Sequence, residues 1–182
     1  MAATNYIAPA AGAGHAQETT MTQQAQLQTL FAYNWHTTRR LMECAAQLSD
    51  DAYHTNPGYG HGSIHDLFFH LLRAIRSWRI ALETGRQQAG IQPDDYPTLA
   101  AISSAVDAEQ ADWEAYLGAL DDDRIAADIT LINWRGDPWT LPLWRILHHL
   151  VLHGMQHHTE LAQLLTAAGQ SPGDIDFLFY RG

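Results

Sequence analysis

Lysine is absent from the chain, and ten arginines face twenty acidic residues for a formal net charge of −10. Without a lysine amine, Schiff-base chemistry is excluded. An acidic chain with no basic run also lacks the electrostatic footprint that phosphate-backbone binding requires, so no direct nucleic-acid partner is expected. Solubility alone accounts for the acidity. Cysteine occurs once, at Cys44, which rules out an internal disulfide and fits a reducing compartment. No charged-then-apolar leader and no apolar run of membrane-spanning length is present, so the expectation is a cytoplasmic protein with no membrane association. A length of 182 residues suits one domain with a core large enough to fold without cross-links.

The apolar spacing is helical. Residues 1–19, rich in Ala and Gly and without periodicity, read as a flexible N-terminal extension, leaving 20–182 as a single domain. Thr20 with Gln23 resembles a capping box, and Leu27, Leu30, Phe31, Asn34, Trp35, Leu41 and Leu48 then follow helical spacing over about 22–48. The stretch "SDDAYHTNPGYGHG" reads as turn chemistry centred on Asn56-Pro57-Gly58. A second helix opens at Ser63, with Asp66 placed against its dipole, and Gly85 stops it. A long connection to Pro97 follows, then a third helix from about Thr98 to Leu120, the least sharply patterned of the four. "DITLINWRGDPWTL", from Asp128 to Leu141, alternates as a short β-hairpin. The last helix begins near Thr140-Leu141-Pro142 and ends at Gly169. The fold class expected is all-α: a four-helix bundle with a long crossover connection and a short β-hairpin before the last helix.

That last helix carries "HHLVLHGMQHHTELAQLL", with five of the chain's eleven histidines. On a helical wheel Leu143, Leu147, Leu150, Gly154, Leu161 and Leu165 cluster within roughly 40° of one core line, and His153 and His157 lie to one side of it, one turn apart. His148, His149 and His158 fall elsewhere and are expected at the surface or edge. A histidine pair at i and i+4 projects two nitrogen lone pairs toward one point, as the helical half of a metal site requires. A hydrogen-bonded pair at a helix interface would give the same spacing. A third ligand must come from another helix, and the wheel does not choose between His65 and His70, which lie roughly 100° and 120° from the core line of the second helix.

Three stretches, "LFAYNWHTTRRL", "GSIHDLFFHLLRAIRSW" and "HLVLHGMQHHTELAQLLTAAGQSPGDIDFLFY", together resemble the DinB/YfiT-like family of metal-binding four-helix bundles. The last is the most specific, joining the histidine pair, a helix end and an aspartate-aromatic tail in the family's order. The resemblance implies one divalent metal ion (zinc, nickel or iron) held by His70, His153 and His157, with positions left for water or substrate. It also implies a small-molecule substrate, in some members a low-molecular-weight thiol cofactor, and a homodimer. Where many relatives read Arg-Gly-Gln after the second histidine of the pair, this chain has His158-Thr159-Glu160.

Three neutral imidazoles would leave a divalent ion its full charge, which favours ionisation of a water or a thiol bound to it. Hydrolysis and thiol transfer are therefore both within reach. Glu160, roughly 20° from His153 on the wheel and two turns along, is the candidate catalytic carboxylate or orienting group, with Glu43 and Asp66 as other candidates from placement. A solvated carboxylate is the plainer account of Glu160. Cys44 reads as an ordinary partly buried thiol, and Asn34 as a buried amide bonded to the hairpin or facing the pocket. Tyr33, Trp35, Trp78, Trp134, Trp139 and Trp144 are expected mostly as packing residues. Two further readings stand beside the enzyme: a non-catalytic metal or small-molecule binding protein, possibly stress-related, and a bundle whose histidines are structural and whose role is association.

Overall fold

A computed structural model describes residues 21–88 and 90–182. The expected extension over 1–19 and the proposed cap at Thr20 lie outside the described residues. The first helix, α1 (Gln23–Ala45), is capped by Thr22, whose hydroxyl accepts from Ala25 N at 3.1 Å. A short helix, α2 (Asp50–His54), capped by Ser49, stands inside the stretch expected to be all turn. α3 (Ile64–Thr84) starts at a full capping box: Ser63 accepts from Asp66 N, and the Asp66 carboxylate accepts from Ser63 N. Such a cap contributes about 1 kcal/mol. Gly85, at φ 74°, ends the helix in the left-handed conformation.

α4 (Leu99–Gly118) and a short α5 (Asp122–Ala126) follow, then the strands β1 (Asp128–Ile132) and β2 (Pro138–Pro142), and finally α6 (Leu143–Ala167). α1 and α3 each pack against both α4 and α6, so α1 and α3 occupy one diagonal of the bundle and α4 and α6 the other. The chain spans the first diagonal through α2 and the second through α5 and the hairpin. Asp122 anchors the second crossing, its carboxylate accepting from Gln23 N and Gln24 N of α1.

The core is the expected apolar set. Leu27, Phe31 and Leu41 of α1 meet Leu67, Phe68 and Leu72 of α3, Ile102 and Trp113 of α4, and Leu143, Leu147, Leu161 and Leu165 of α6, all nearly inaccessible. Each such side chain contributes roughly 1.5–3 kcal/mol by leaving water. The Trp113 indole packs on Phe31 and donates to Ile75 O at 3.3 Å. The weak pattern of α4 has a specific cause: Glu109 is 2% exposed within the buried stripe. Its two oxygens accept from Arg79 Nε and Nη2 at 2.8 and 2.9 Å, a bidentate pair that locks α3 to α4.

The strands pair antiparallel with Thr130 opposite Thr140 and Asp128 opposite Pro142. Asn133 closes the turn, its side-chain oxygen accepting from Arg135 N and Asp137 N. The crossover after α3 lies alongside, with Ile132 N donating to Gly85 O and Gln87 N to Ile132 O. Only one face of the hairpin, Ile129, Leu131 and Leu141, is buried. Of the tryptophans expected mostly as packing residues, Trp134 in the turn is 74% exposed, and Trp139 on β2 and Trp144 on α6 are close to half exposed. No helix among the described residues is long and apolar enough to cross a membrane.

Candidate metal centre

α3 and α6 are neighbours, and that contact brings His70 to the histidine pair. His70 Nε2 lies 3.2 Å from His153 Nε2, and His153 Nε2 lies 3.1 Å from His157 Nε2. These separations suit ligands rather than hydrogen-bond partners. A ring nitrogen carries either one proton or one lone pair, so His153 Nε2 cannot satisfy two other ring nitrogens at once. Nitrogens held about 2.0–2.1 Å from a tetrahedral zinc ion would themselves be roughly 3.3 Å apart, close to what is observed. The three sequence-named histidines thus lie together, with two of their nitrogen separations of ligand size and the His70 and His157 rings 4.6 Å apart between centroids, and three imidazoles are a donor set that fits a divalent cation.

A fourth imidazole, absent from the sequence reading, joins them. One ring nitrogen of each of His61, His70 and His157 lies within 4.8 Å of the others. The His61 ring packs edge-on to His157, centroids 4.4 Å apart, and tilted against His70 at 5.1 Å. Its Nδ1 is 3.0 Å from Glu160 Oε2, while Glu160 Oε1 is 3.5 Å from His157 Nδ1. One carboxylate therefore faces the outer nitrogens of two imidazoles, the arrangement by which a supporting acid fixes tautomer and ring direction. The available signal for His61 was its position between glycines, "GYGHG", directly before the Ser63 cap; read as turn chemistry, it passed unnoticed.

The surroundings keep the cluster neutral. Burial, reinforced by the neighbouring imidazoles, pushes His70 and His153 down to about 4. His157 is also lowered by burial, with Glu160 opposing in part. Neutral imidazoles are the form that can donate a lone pair to a metal. Burial would raise the Glu160 carboxyl, but its bond to His61 and the field of His157 outweigh that and hold it below the usual carboxylate range.

The remaining candidates sit elsewhere. His65, left open against His70 by the wheel, is buried beside Tyr53 and His54 and bonds Tyr96 O through Nε2 at 2.8 Å. Asp66 is occupied by the α3 cap. Glu43 lies on α1 with His36, Arg39 and Arg40, lining a separate groove. Cys44 is partly buried, as expected. Asn34 turns to α6 rather than the hairpin, donating to Val151 O at 3.3 Å, and lines a small cavity of about 30 Å³ with Trp35, His153, Gly154 and His158. His158, expected at an edge, is fully buried with Nε2 2.8 Å from Thr38 Oγ1. Because α6 packs against α1 on one side and α3 on the other, its buried arc is wider than one wheel line suggests. The Thr38 hydroxyl already gives its proton to Asn34 O, so His158 Nε2 is the donor and Nδ1 bears the lone pair.

Known proteins can be set beside this geometry. Over 86% of this chain and 95% of its own, a Bacillus subtilis protein, YfiT, superposes with a TM-score of 0.62 at 12% identity; it is described as a probable metal-dependent hydrolase with an unusual four-helix bundle topology. A DinB-like protein from Bacillus cereus superposes with a TM-score of 0.58 at 18% identity, over 85% of this chain and 97% of its own. At these identities the likeness speaks for the fold. No curated protein sequence matches. The sequence itself matches the DinB family over residues 21–182, and the chain belongs to that family.

Proposed function

We propose that the protein is a metal-dependent hydrolase acting on a small molecule, with His70, His153 and His157 as the protein ligands of one divalent cation. The observation that carries the reading is the position of His153 Nε2, within 3.2 Å of two other ring nitrogens that hydrogen bonding cannot satisfy together. A divalent cation held there would supply Lewis acidity toward a water, a thiol or a substrate carbonyl. The chain's own residues do the rest. α3 and α6 hold the three rings in place, burial keeps them unprotonated, and Glu160 faces Nδ1 of His157 from behind at 3.5 Å. The likeness to YfiT and the family assignment support the same reading.

Protein purified without an affinity tag, stripped with a chelator and titrated with zinc, nickel or ferrous ion, should bind about one equivalent per chain, as one three-histidine site requires. Loaded protein should then hydrolyse members of an ester and amide panel, and His157→Ala should abolish both metal binding and turnover. Turnover appearing only when a low-molecular-weight thiol is added would reassign the site to thiol transfer. Metal binding without turnover in either arm would leave a binding protein. Equal hydrolysis by wild type and His157→Ala would overturn the proposal.

A further inference from the structure

We propose that His61 is a fourth ligand of the same cation, delivered by the loop ahead of α3 and held for that role by Glu160. This rests on the reading of His70, His153 and His157 as ligands, and it adds a residue from neither helix of that set. Three observations converge. The first is placement: His61 shares a mutual 4.8 Å sphere of ring nitrogens with His70 and His157 and stacks edge-on to His157. The second is tautomer. Glu160 Oε2 accepts from His61 Nδ1 at 3.0 Å, so that nitrogen carries the proton and Nε2 carries the lone pair, which makes no hydrogen bond among the described residues. A carboxylate behind one imidazole nitrogen, with the other left bare, is the usual support of a metal-ligating histidine.

The third observation is how the loop is built. Gly60 and Gly62 flank His61 at φ 63° and 99°, conformations that side chains other than glycine rarely adopt. A Cβ on Gly62 would stand 2.5 Å from Asp66 Oδ2, the carboxylate that caps α3, and one on Gly60 would stand 3.7 Å from Glu160 Oε2. Gly62 therefore lets the backbone press close to the capping carboxylate, Gly60 is called for by its positive φ alone, and between them His61 is carried onto the cluster. The loop is fastened at both ends, by Asn56 Oδ1 accepting from Gly58 N and by the Ser63–Asp66 cap. Bringing ring nitrogens that already lie within 4.8 Å of one another to the roughly 3.3 Å expected around a tetrahedral ion needs a shift of no more than about an ångström or two, which the side chain and its glycine-flanked backbone can make.

With His61 engaged, four imidazoles would hold the cation; with His61 drawn back, the three helical histidines would hold it and leave a position for a small molecule. Access would then be set by a loop histidine that remains half exposed rather than by the helices.

The test uses the full chain labelled with ¹⁵N in its histidine rings, with zinc as the probe. On addition of zinc, the Nε2 resonances of His70, His153, His157 and His61 should all move to metal-bound positions, with His61 Nδ1 remaining protonated. If the first three move and His61 does not, the three-histidine reading stands and the fourth ligand is refuted. If none moves, both fall. Zinc affinity measured by competition with a chromophoric chelator gives a second readout: His61→Ala should bind on the order of ten- to a hundred-fold more weakly than wild type, at least the effect of losing a supporting partner. Unchanged affinity in a folded His61→Ala protein would overturn the proposal. The spectrum of the wild type decides the matter even if that variant does not fold.

Discussion

Gly154 sits one residue beyond His153, on the side of α6 packed against Asn34 of α1. A Cβ built there would stand 2.4 Å from Asn34 Oδ1, 2.6 Å from Nδ2 and 2.9 Å from Cγ, so Gly154→Ala cannot be accommodated unless the amide moves. Three contributions set the outcome. Alanine in a helix interior is favoured over glycine by about 1 kcal/mol. Against that, Asn34 gives up its bond to Val151 O, worth about 1 kcal/mol, and overpacking a filled interface costs typically 1–3 kcal/mol. The small cavity beside Asn34 can receive part of the displaced amide, which favours the lower end. The variant should therefore be destabilised by about 1–2 kcal/mol. Urea denaturation of metal-free protein, followed by circular dichroism, would read this as a lower midpoint at unchanged slope. The sharper reading is the sign reversal in an Asn34→Ala background, where the clash is gone and the same Gly154→Ala change should stabilise by up to about 1 kcal/mol. A rise in midpoint for Gly154→Ala alone would show that Asn34 yields freely, and the reasoning from close approach would be wrong.

Acidification should weaken the metal-free protein in a defined window. His158 is pushed by burial down to about 3 from an ordinary 6.5, so below pH 6.5 the unfolded chain takes up a proton that the native state refuses. Stability from this residue is full above pH 6.5 and falls as pH drops, by about 1.4 kcal/mol per unit, or about 2 kcal/mol by pH 5. His70 and His153 add to the same slope down to about 4. Denaturation series at pH 7.5 and pH 5 should show the loss, and a His158→Gln variant should show less of it. Glu109→Ala would strand the buried side of Arg79 and should destabilise by about 3–5 kcal/mol, readable as a large drop in denaturation midpoint; an effect under 1 kcal/mol would mean that Glu83 and Asp112 take over the guanidinium. Glu160→Gln keeps the shape but only one acceptor oxygen for two imidazoles, so metal affinity should fall on the order of tenfold to a hundredfold with the melting temperature of the metal-free protein little changed. Adding metal at a hundred times its dissociation constant should stabilise the wild type by about 2.7 kcal/mol, and His157→Ala should show no such shift in melting temperature.

The bundle was legible because its signals are local and redundant. Ser63 with Asp66 marks the start of α3 and Gly85 its end, and both do in the structure what their chemistry dictates. The hairpin is equally local, an alternating pair of segments around a turn that Asn133 closes. What escaped was decided by partners far along the chain. α4 looks poorly patterned because a carboxylate fills a core position, which makes sense only once Arg79, thirty residues earlier, is brought against it. α2 is five residues long, too short for periodicity to register. Trp139 shows the converse limit: aromatic character and its place opposite Leu131 on the buried face of the hairpin both point to a packed ring, yet it is close to half exposed and covered in part by Trp78.

The candidate metal centre divides along the same line. Two histidines one turn apart on one helix are a statement about spacing, so His153 and His157 could be paired from the sequence alone. Choosing His70 over His65 could not be done that way, because a ligand faces the seam between two helices while the wheel refers every residue to the centre of the core. Both histidines lie far off that centre, and what separates them is the neighbour each one meets: α6 for His70, the carbonyl of Tyr96 for His65. His61 is a harder case, since a loop has no period at all. Its only local mark is the glycine on either side, and glycine in a loop ordinarily says that the backbone turns. Here the backbone at Gly62 turns against the Asp66 carboxylate, and the His61 ring meets Glu160, which lies ninety-nine residues away in the chain and already faces His157. If that carboxylate orients both rings, His61 and Glu160 act as a unit toward the metal. A double-mutant cycle of His61→Ala and Glu160→Gln should then show coupling of more than about 0.5 kcal/mol in metal affinity; additivity would separate the two residues.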